Sequence, residues 1–338
     1  MELLAKREVR SPTEHSKSMI SLIITVLNER ETLPLWLESI KEQIKQPDEI
    51  VIVDGGSVDG TWEWLQKVTF PNMQAIKEIG NIAHGRNSAI RYAKGDVIAV
   101  TDAGCIYHPK WLENMTTPLL TEGIDFVASA FGPWLKAEDA LLTYGIASAT
   151  IPRPGEFHGA PWFASSRSVA FRKKVWEKAG GYPEWIPYSE DIVFDLKVKK
   201  MGCRELYLNK TLVFWRPRTT LGGYWRQLYN YTRSDGHGML LIRRQVIRYG
   251  VYGALAIFIS LAFKNILWVL PPLMGGLVYC NKYLLRWFSF TRHTTLFFHL
   301  SGLVIMPALI FIGDLAKMWG FIMGVYERKK GTIVYEAW

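Results

Sequence analysis

The chain has 338 residues, 49% of them hydrophobic, and carries 40 Lys and Arg against 31 Asp and Glu for a formal net charge of +9. That length holds one large or two ordinary domains, and the apolar fraction is enough for a sizeable core, which excludes a disordered chain. Three widely spaced cysteines, Cys105, Cys203 and Cys280, make neither a disulfide framework nor a CxxC metal knuckle and place the polar part in a reducing compartment. The basic balance points to an anionic partner: nucleic acid, phosphorylated small molecule or anionic lipid.

Residues 1–19 are polar, hold Pro12, lack the apolar run of a secretory signal, and read as a loose tail. From Ile20 to about Leu240 short β-branched runs alternate with charged amphipathic stretches, the α/β pattern. SLIITVLNE reads as a buried strand with a polar end. TLPLWLESIKEQI is an amphipathic helix with Leu33, Trp36, Leu37, Ile40 and Ile44 on its apolar face. DEIVIVDGG is a second strand, VDGTWEWLQKV a second helix, MQAIKEI a third strand, Ala83 to Ala93 a third helix, and DVIAVTDAG a fourth strand. Strand and helix in alternation predict parallel pairing, with ligands at the carboxyl ends of the strands, where Asn28, Glu29, Asp54 and Asp102 fall. A dinucleotide fold needs GxGxxG after the first strand; TVLNERETL has no glycine there, and no P-loop is present.

After about residue 245 the composition turns apolar. GVYGALAIFISLAF and ILWVLPPLMGGLVYC, separated by Lys264 and Asn265, read either as one Pro-broken span or as two half-helices of a re-entrant hairpin. A second apolar element runs from about Leu296 to Tyr326. Arg243, Arg244 and Arg248 before the first element and Arg328, Lys329 and Lys330 after the last place both flanks in the cytoplasm. Lys282, Arg286 and Arg292 between the elements are awkward for two full crossings. A hairpin buried in a soluble subdomain is the alternative. The predicted organisation is a tail (1–19), an α/β domain (20–245) and a membrane-associated helical region (246–338).

Strand then NE, strand then DGGSVDGT, a helix bearing GRNSAI, and strand then TDAG together resemble the family 2 glycosyltransferases, over about residues 20–240. The resemblance implies a GT-A type Rossmann-like mixed sheet flanked by helices and an inverting hexosyl transfer from a nucleoside-diphosphate sugar. It assigns Val26, Asn28, Glu29 and Asp54 to the nucleoside, with helix or turn capping as the alternative for Asp54; for Asp59 capping is the preferred reading. It brings Arg86 and Asn87 to the ribose or phosphate side of the donor. Asp102 stands where the family keeps its DxD signature and is the expected ligand of a divalent metal, Mg or Mn. Gly104 replaces the second carboxylate, which leaves room for a ligand from elsewhere, such as His108.

ASSRSVAFRKKVWEKAGGYPE and SEDIVFDLKVKKMG resemble the family's strand and helix before its catalytic base, which implies Asp191 as the base. Ser189 reads as the N-cap of that helix and Glu190 as a group orienting donor hydroxyls or a neighbouring cation; Asp195 reads as structural. In LVFWRPRTTLGGYWRQLYNYTRSDGHG the resemblance implies arginines over the donor diphosphate and aromatic rings under the acceptor. Arg233 is assigned to donor or acceptor phosphate, and Arg216, Trp225 and Arg226 to the acceptor or phosphate side. A lipid-headgroup patch is the other reading of these cations. Gln227 and Arg233 resemble the QxxRW signature of processive members only loosely. The reading is therefore a membrane-associated transferase, catalytic domain in the cytoplasm, acting on a lipid-linked or membrane-proximal glycan, without nucleic acid. A processive polysaccharide synthase and a non-catalytic membrane scaffold are the competing functions.

Overall fold

A computed structural model describes residues 18–153, 156 and 163–331; most of the N-terminal tail and the FHGAPW run lie outside them. In chain order the elements are β1 (Ile20–Val26), α1 (Leu33–Lys41), β2 (Glu49–Asp54), α2 (Thr61–Leu65), β3 (Met73–Lys77), α3 (Ile82–Tyr92), β4 (Val97–Asp102), β5 (Cys105–Tyr107), α4 (Trp111–Thr121) and β6 (Phe126–Pro133). There follow α5 (Leu141–Thr150), β7 (Val169–Arg172), α6 (Lys173–Ala179), α7 (Glu190–Lys200), β8 (Glu205–Trp215), α8 (Leu221–Gly238), α9 (Ile242–Ala262), a 3-10 turn (Ile266–Val269), α10 (Leu270–Phe290) and α11 (Leu296–Lys329).

One mixed sheet in the order β3-β2-β1-β4-β7-β6-β8-β5 organises residues 20–215. β1 pairs in parallel with β2 and β4, in a register that sets Val26 beside Asp54 and Thr25 beside Asp102. The tips of three adjacent strands thus end on one edge, as the alternating pattern predicts. Both faces of β1 are covered: Leu22 and Ile24 pack with Trp36 and Trp111, and Ile23 with Ile90 and Phe171. This double burial is why the strands read as unbroken apolar runs. Ile44, expected on the buried face of α1, is exposed, because the helix ends at Lys41 and Gln43 turns back to donate to the Ser39 carbonyl.

Glycines let α8 and α11 approach closely. A Cβ at Gly324 would collide with the Arg233 carbonyl, one at Gly320 with the Tyr229 carbonyl, and one at Gly236 with the Phe321 carbonyl. Tyr224 donates to the Leu309 carbonyl at 3.1 Å, so the contact runs along most of α8. The segment predicted over 251–280 is two helices joined at 263–265, not one Pro-broken span. Pro271 and Pro272 open the first turn of α10, where a missing N–H costs nothing. α9 and α11 are each long and apolar enough to cross a membrane.

Candidate active site

The first two strand tips are braced by their own loop. Asn28 adopts a left-handed conformation (φ 57°), which turns its carbonyl Oδ1 onto the Val58 amide at 2.9 Å, while its own N–H donates to Ser57 Oγ at 2.8 Å. Fully buried Asp54 accepts from the Gly56 and Ser57 amides through Oδ1, both at 2.7 Å; its Oδ2 has no hydrogen-bond partner among the described residues. Asp54 is therefore a turn cap with one oxygen to spare. Asp59 caps as expected, accepting from the Thr61 amide at 3.0 Å. Glu29 bonds Thr32, and burial pushes its carboxyl up.

Arg86 lies deeper than a donor contact requires. Only 2% exposed, it donates through Nη2 to Asp102 Oδ1 at 2.9 Å and through Nη1 to Glu190. The guanidinium thus bridges the end of β4 to the start of α7, reaching Glu190 across 104 residues of chain, and both carboxylates hold it protonated. Asn87 is likewise spent internally: Oδ1 accepts from Trp176 Nε1 and the Tyr182 amide, and Nδ2 donates to the Tyr182 carbonyl and Glu184. It staples α3 to the Gly180–Gly181 turn, whose positive φ values (70° and 78°) explain the glycine pair.

Asp102 remains 22% exposed and is approached from its other side by Arg167, whose Nε lies 3.8 Å from Oδ2. The Arg167 guanidinium sits 4.1 Å over the Trp215 ring and bonds Ser165 Oγ at 2.7 Å; its Nε has no hydrogen-bond partner among the described residues. Asp191 lies in the field of Arg86, Arg167 and Asp102 together. Burial raises the Asp191 and Glu190 carboxyls, and the guanidinium of Arg86 pulls both back.

The turn into α7 is held from α8. Ser189 holds the predicted N-cap position of α7, at φ 64°, but without a side-chain capping bond: its hydroxyl donates to Asp235 Oδ1 at 3.0 Å, and the Tyr188 amide donates to Ser234 Oγ at 3.1 Å. Burial pushes the Asp235 carboxyl up to about 7. Glu190 orients a neighbouring cation, one of its two predicted roles, and Asp195 pairs with Lys199 at 2.6 Å.

The cations predicted over the donor diphosphate are distributed differently. Arg233 presents its fork to Glu327 of α11 at 2.7 and 2.8 Å, and Arg216 clasps Asp139 at 2.5 Å. The first pair joins α8 to α11 and the second ties the residue after β8 to the segment before α5, so neither fork is free. Trp225 and Arg226 are exposed on the first turns of α8. His108 is exposed, accepts from the Lys110 amide, and adds no ligand to Asp102; no group of three metal-binding side chains is present among the described residues. Arg167, Ser234 and Asp235 were not singled out from the sequence; the RS step before β7 and the SDG after Arg233 were the only local signals.

A family model described as "Glycosyl transferase family 2" matches residues 21–144, the span from β1 into α5. The succinoglycan biosynthesis protein ExoA of Rhizobium meliloti is 26% identical over 245 residues, covering 68% of this chain and 73% of that protein. Residues 21–144 thus carry the sequence pattern of glycosyl transferase family 2. The UDP-Glc:alpha-D-GlcNAc-diphosphoundecaprenol beta-1,3-glucosyltransferase WfaP of Escherichia coli is 30% identical over 115 residues, 33% of this glycosyltransferase and 46% of WfaP. A mannosyltransferase of Pyrobaculum calidifontis, solved with GDP-Man and Mn2+, superposes with a TM-score of 0.51 at 17% identity, covering 89% of this glycosyltransferase and 87% of that chain. The predicted GT-A architecture is therefore the observed one.

Proposed function

We propose that the chain is a membrane-anchored inverting glycosyltransferase that moves a sugar from a nucleoside-diphosphate donor to a lipid-linked or other membrane-proximal glycan acceptor. Residues 20–245 form the catalytic unit, residues 246–338 the membrane-associated part, and the catalytic unit faces the cytoplasm, in keeping with the basic flanks. The observation that carries this reading is the flanking of Asp102 by two guanidiniums, buried Arg86 at 2.9 Å and part-buried Arg167 at 3.8 Å, whose field also reaches Asp191.

Asp191 takes the acceptor hydroxyl proton as that oxygen attacks the anomeric carbon opposite the leaving nucleotide, and a single displacement inverts configuration. Burial raises its basicity while the two cations keep it ionised for the task. Asp54 Oδ2 and the backbone around Val26 and Asn28 receive the nucleoside, and Arg167, already stacked and partly unpaired, takes the phosphate role expected of Arg233. Among the described residues Asp102 Oδ2 makes no hydrogen bond and meets Arg167 Nε at 3.8 Å, so a Mg or Mn ion fits there as a one-carboxylate site completed by the donor diphosphate. Such an ion, when bound, neutralises the charge of the leaving nucleoside diphosphate.

The activity for which WfaP is named, on a diphosphoundecaprenol-linked sugar, supports a lipid-linked acceptor, and the GDP-Man complex of the P. calidifontis enzyme agrees with a nucleotide-sugar donor. A panel of sugar nucleotides tested for binding and slow hydrolysis names the donor. Failure of every member to bind would leave the fold without this chemistry.

A further inference from the structure

The longest exposed apolar surface in the described residues lies on α9, the turn after it, and α10. We propose that this hairpin is a wedge in a single leaflet of an anionic membrane: it enters and leaves on the catalytic side, and its tip at Lys264 stays within that leaflet. The proposal deepens the membrane part of the proposed function and does not depend on its chemistry.

Both legs of the hairpin are tied to one body. Asp314 of α11, wholly buried, receives Arg248 Nε at 3.2 Å and Tyr252 Oη at 3.3 Å from α9, Tyr279 Oη at 2.6 Å from α10, and Lys317 Nζ at 3.2 Å. Tyr249 of α9 donates to the Met318 carbonyl at 2.7 Å. At the other end of α10, Arg286 bonds Glu156 at 2.8 Å and the Ser148 carbonyl of α5 at 3.3 Å. α11 in turn lies along α8, which holds the turn before Asp191. Entry and exit are therefore anchored on the same side as the active site.

The free length is too short for a crossing. From Tyr252 to Ala262, and again from Leu270 to Tyr279, a rise of ~1.5 Å per residue gives about 15 Å, against a hydrocarbon core of ~30 Å. The chemistry of the free part suits acyl chains: Leu255, Phe258, Ile259, Phe263 and Leu273 line an open apolar groove, and Phe263 at the tip is 91% exposed. Exposed cations stand at the base instead, Arg243 and Arg244 on α9 and Lys282 on α10, where lipid phosphates lie. Lys282 is one of the basic residues that fit poorly between two full crossings; at the neck of a wedge it faces one headgroup layer. Lys264 sets the depth, since a cation at the bilayer centre is costly and a tilted hairpin lets its stem snorkel back.

The full chain is reconstituted in vesicles of phosphatidylethanolamine and phosphatidylglycerol. Lys264→Cys and Arg243→Cys are compared with the parent, whose own cysteines set the background. An impermeant maleimide added to either face should label Arg243→Cys from one side and Lys264→Cys from neither until detergent is added. A fluorophore placed at 264 in detergent should, after reconstitution, be quenched by acyl-chain nitroxides. Labelling of position 264 from the face opposite position 243 would establish a full crossing and overturn the proposal. So would labelling from the same face without acyl quenching, which means a hairpin outside the membrane. Donor hydrolysis in the same vesicles separates the two readings: its loss with the wedge intact strikes the chemistry alone.

Discussion

Arg86 Nη2 donates to Asp102 Oδ1 across 2.9 Å from a buried position, and the same guanidinium holds Glu190. One planar fork thus fixes the spacing between the end of β4 and the start of α7. Lysine offers a point charge and can serve only one of the two carboxylates. Arg86→Lys should lower transfer on the order of 100-fold, and leaving a buried carboxylate unpaired should cost about 3–5 kcal/mol of stability. Thermal melts alongside initial rates check this; a variant with native melting and native rate would show that the bridge is dispensable.

The base must be ionised to accept a proton, and burial raises the Asp191 carboxyl above its ordinary range. The transfer rate should therefore rise with pH across a limb lying above the ~3.9 of a free aspartate, and flatten once the carboxyl is ionised. A log-rate profile from pH 4.5 to 8 reads it. A rate already flat at pH 4.5 would place the base elsewhere.

Asp102→Ala should weaken donor binding at least about tenfold and abolish stimulation by Mn or Mg, because the proposed ion rests on that carboxylate. Calorimetric titration of the donor with and without chelator makes the measurement. Retained metal stimulation in the variant would move the ion to another site.

The catalytic sheet is legible in the sequence because its strands are buried on both faces and end in polar residues, so Val26, Asp54 and Asp102 stand out as strand tips. The partners of the chemical groups are not. Arg86 looks like a phosphate ligand until Glu190 arrives from 104 residues away, and Arg233 looks free until α11 brings Glu327 against it. Arg167 carries no local signature, since its place over Trp215 depends on how β8 joins the sheet. Ser189 reads as a cap from its neighbours alone, whereas its left-handed backbone turns the hydroxyl to Asp235 instead.

That last contact makes Asp235 a positioning residue. A left-handed non-glycine residue costs about 1–3 kcal/mol and persists only where its surroundings hold it. Asp235→Ala should lower kcat about tenfold or more with donor affinity unchanged, and Asp235→Asn, which keeps an acceptor for Ser189, should recover most of it. The pH dependence carries its own sign. Folded Asp235 keeps its proton up to about 7, whereas the unfolded chain releases it near the ordinary 3.8, so wild-type stability falls as pH rises between those values. The Asn variant does not titrate there, and its melting temperature relative to wild type should climb from pH 4 to pH 7. A constant difference across that range would mean that Asp235 titrates normally.

The central claim is that Asp191 removes the acceptor proton, and Asp191→Asn tests it most directly, with donor affinity by titration calorimetry and transfer measured on the same sample. The account predicts a rate lower by a factor on the order of 100 to 10,000 with donor affinity within about twofold of wild type. Parallel loss of affinity and rate, or transfer that survives the substitution, would contradict it.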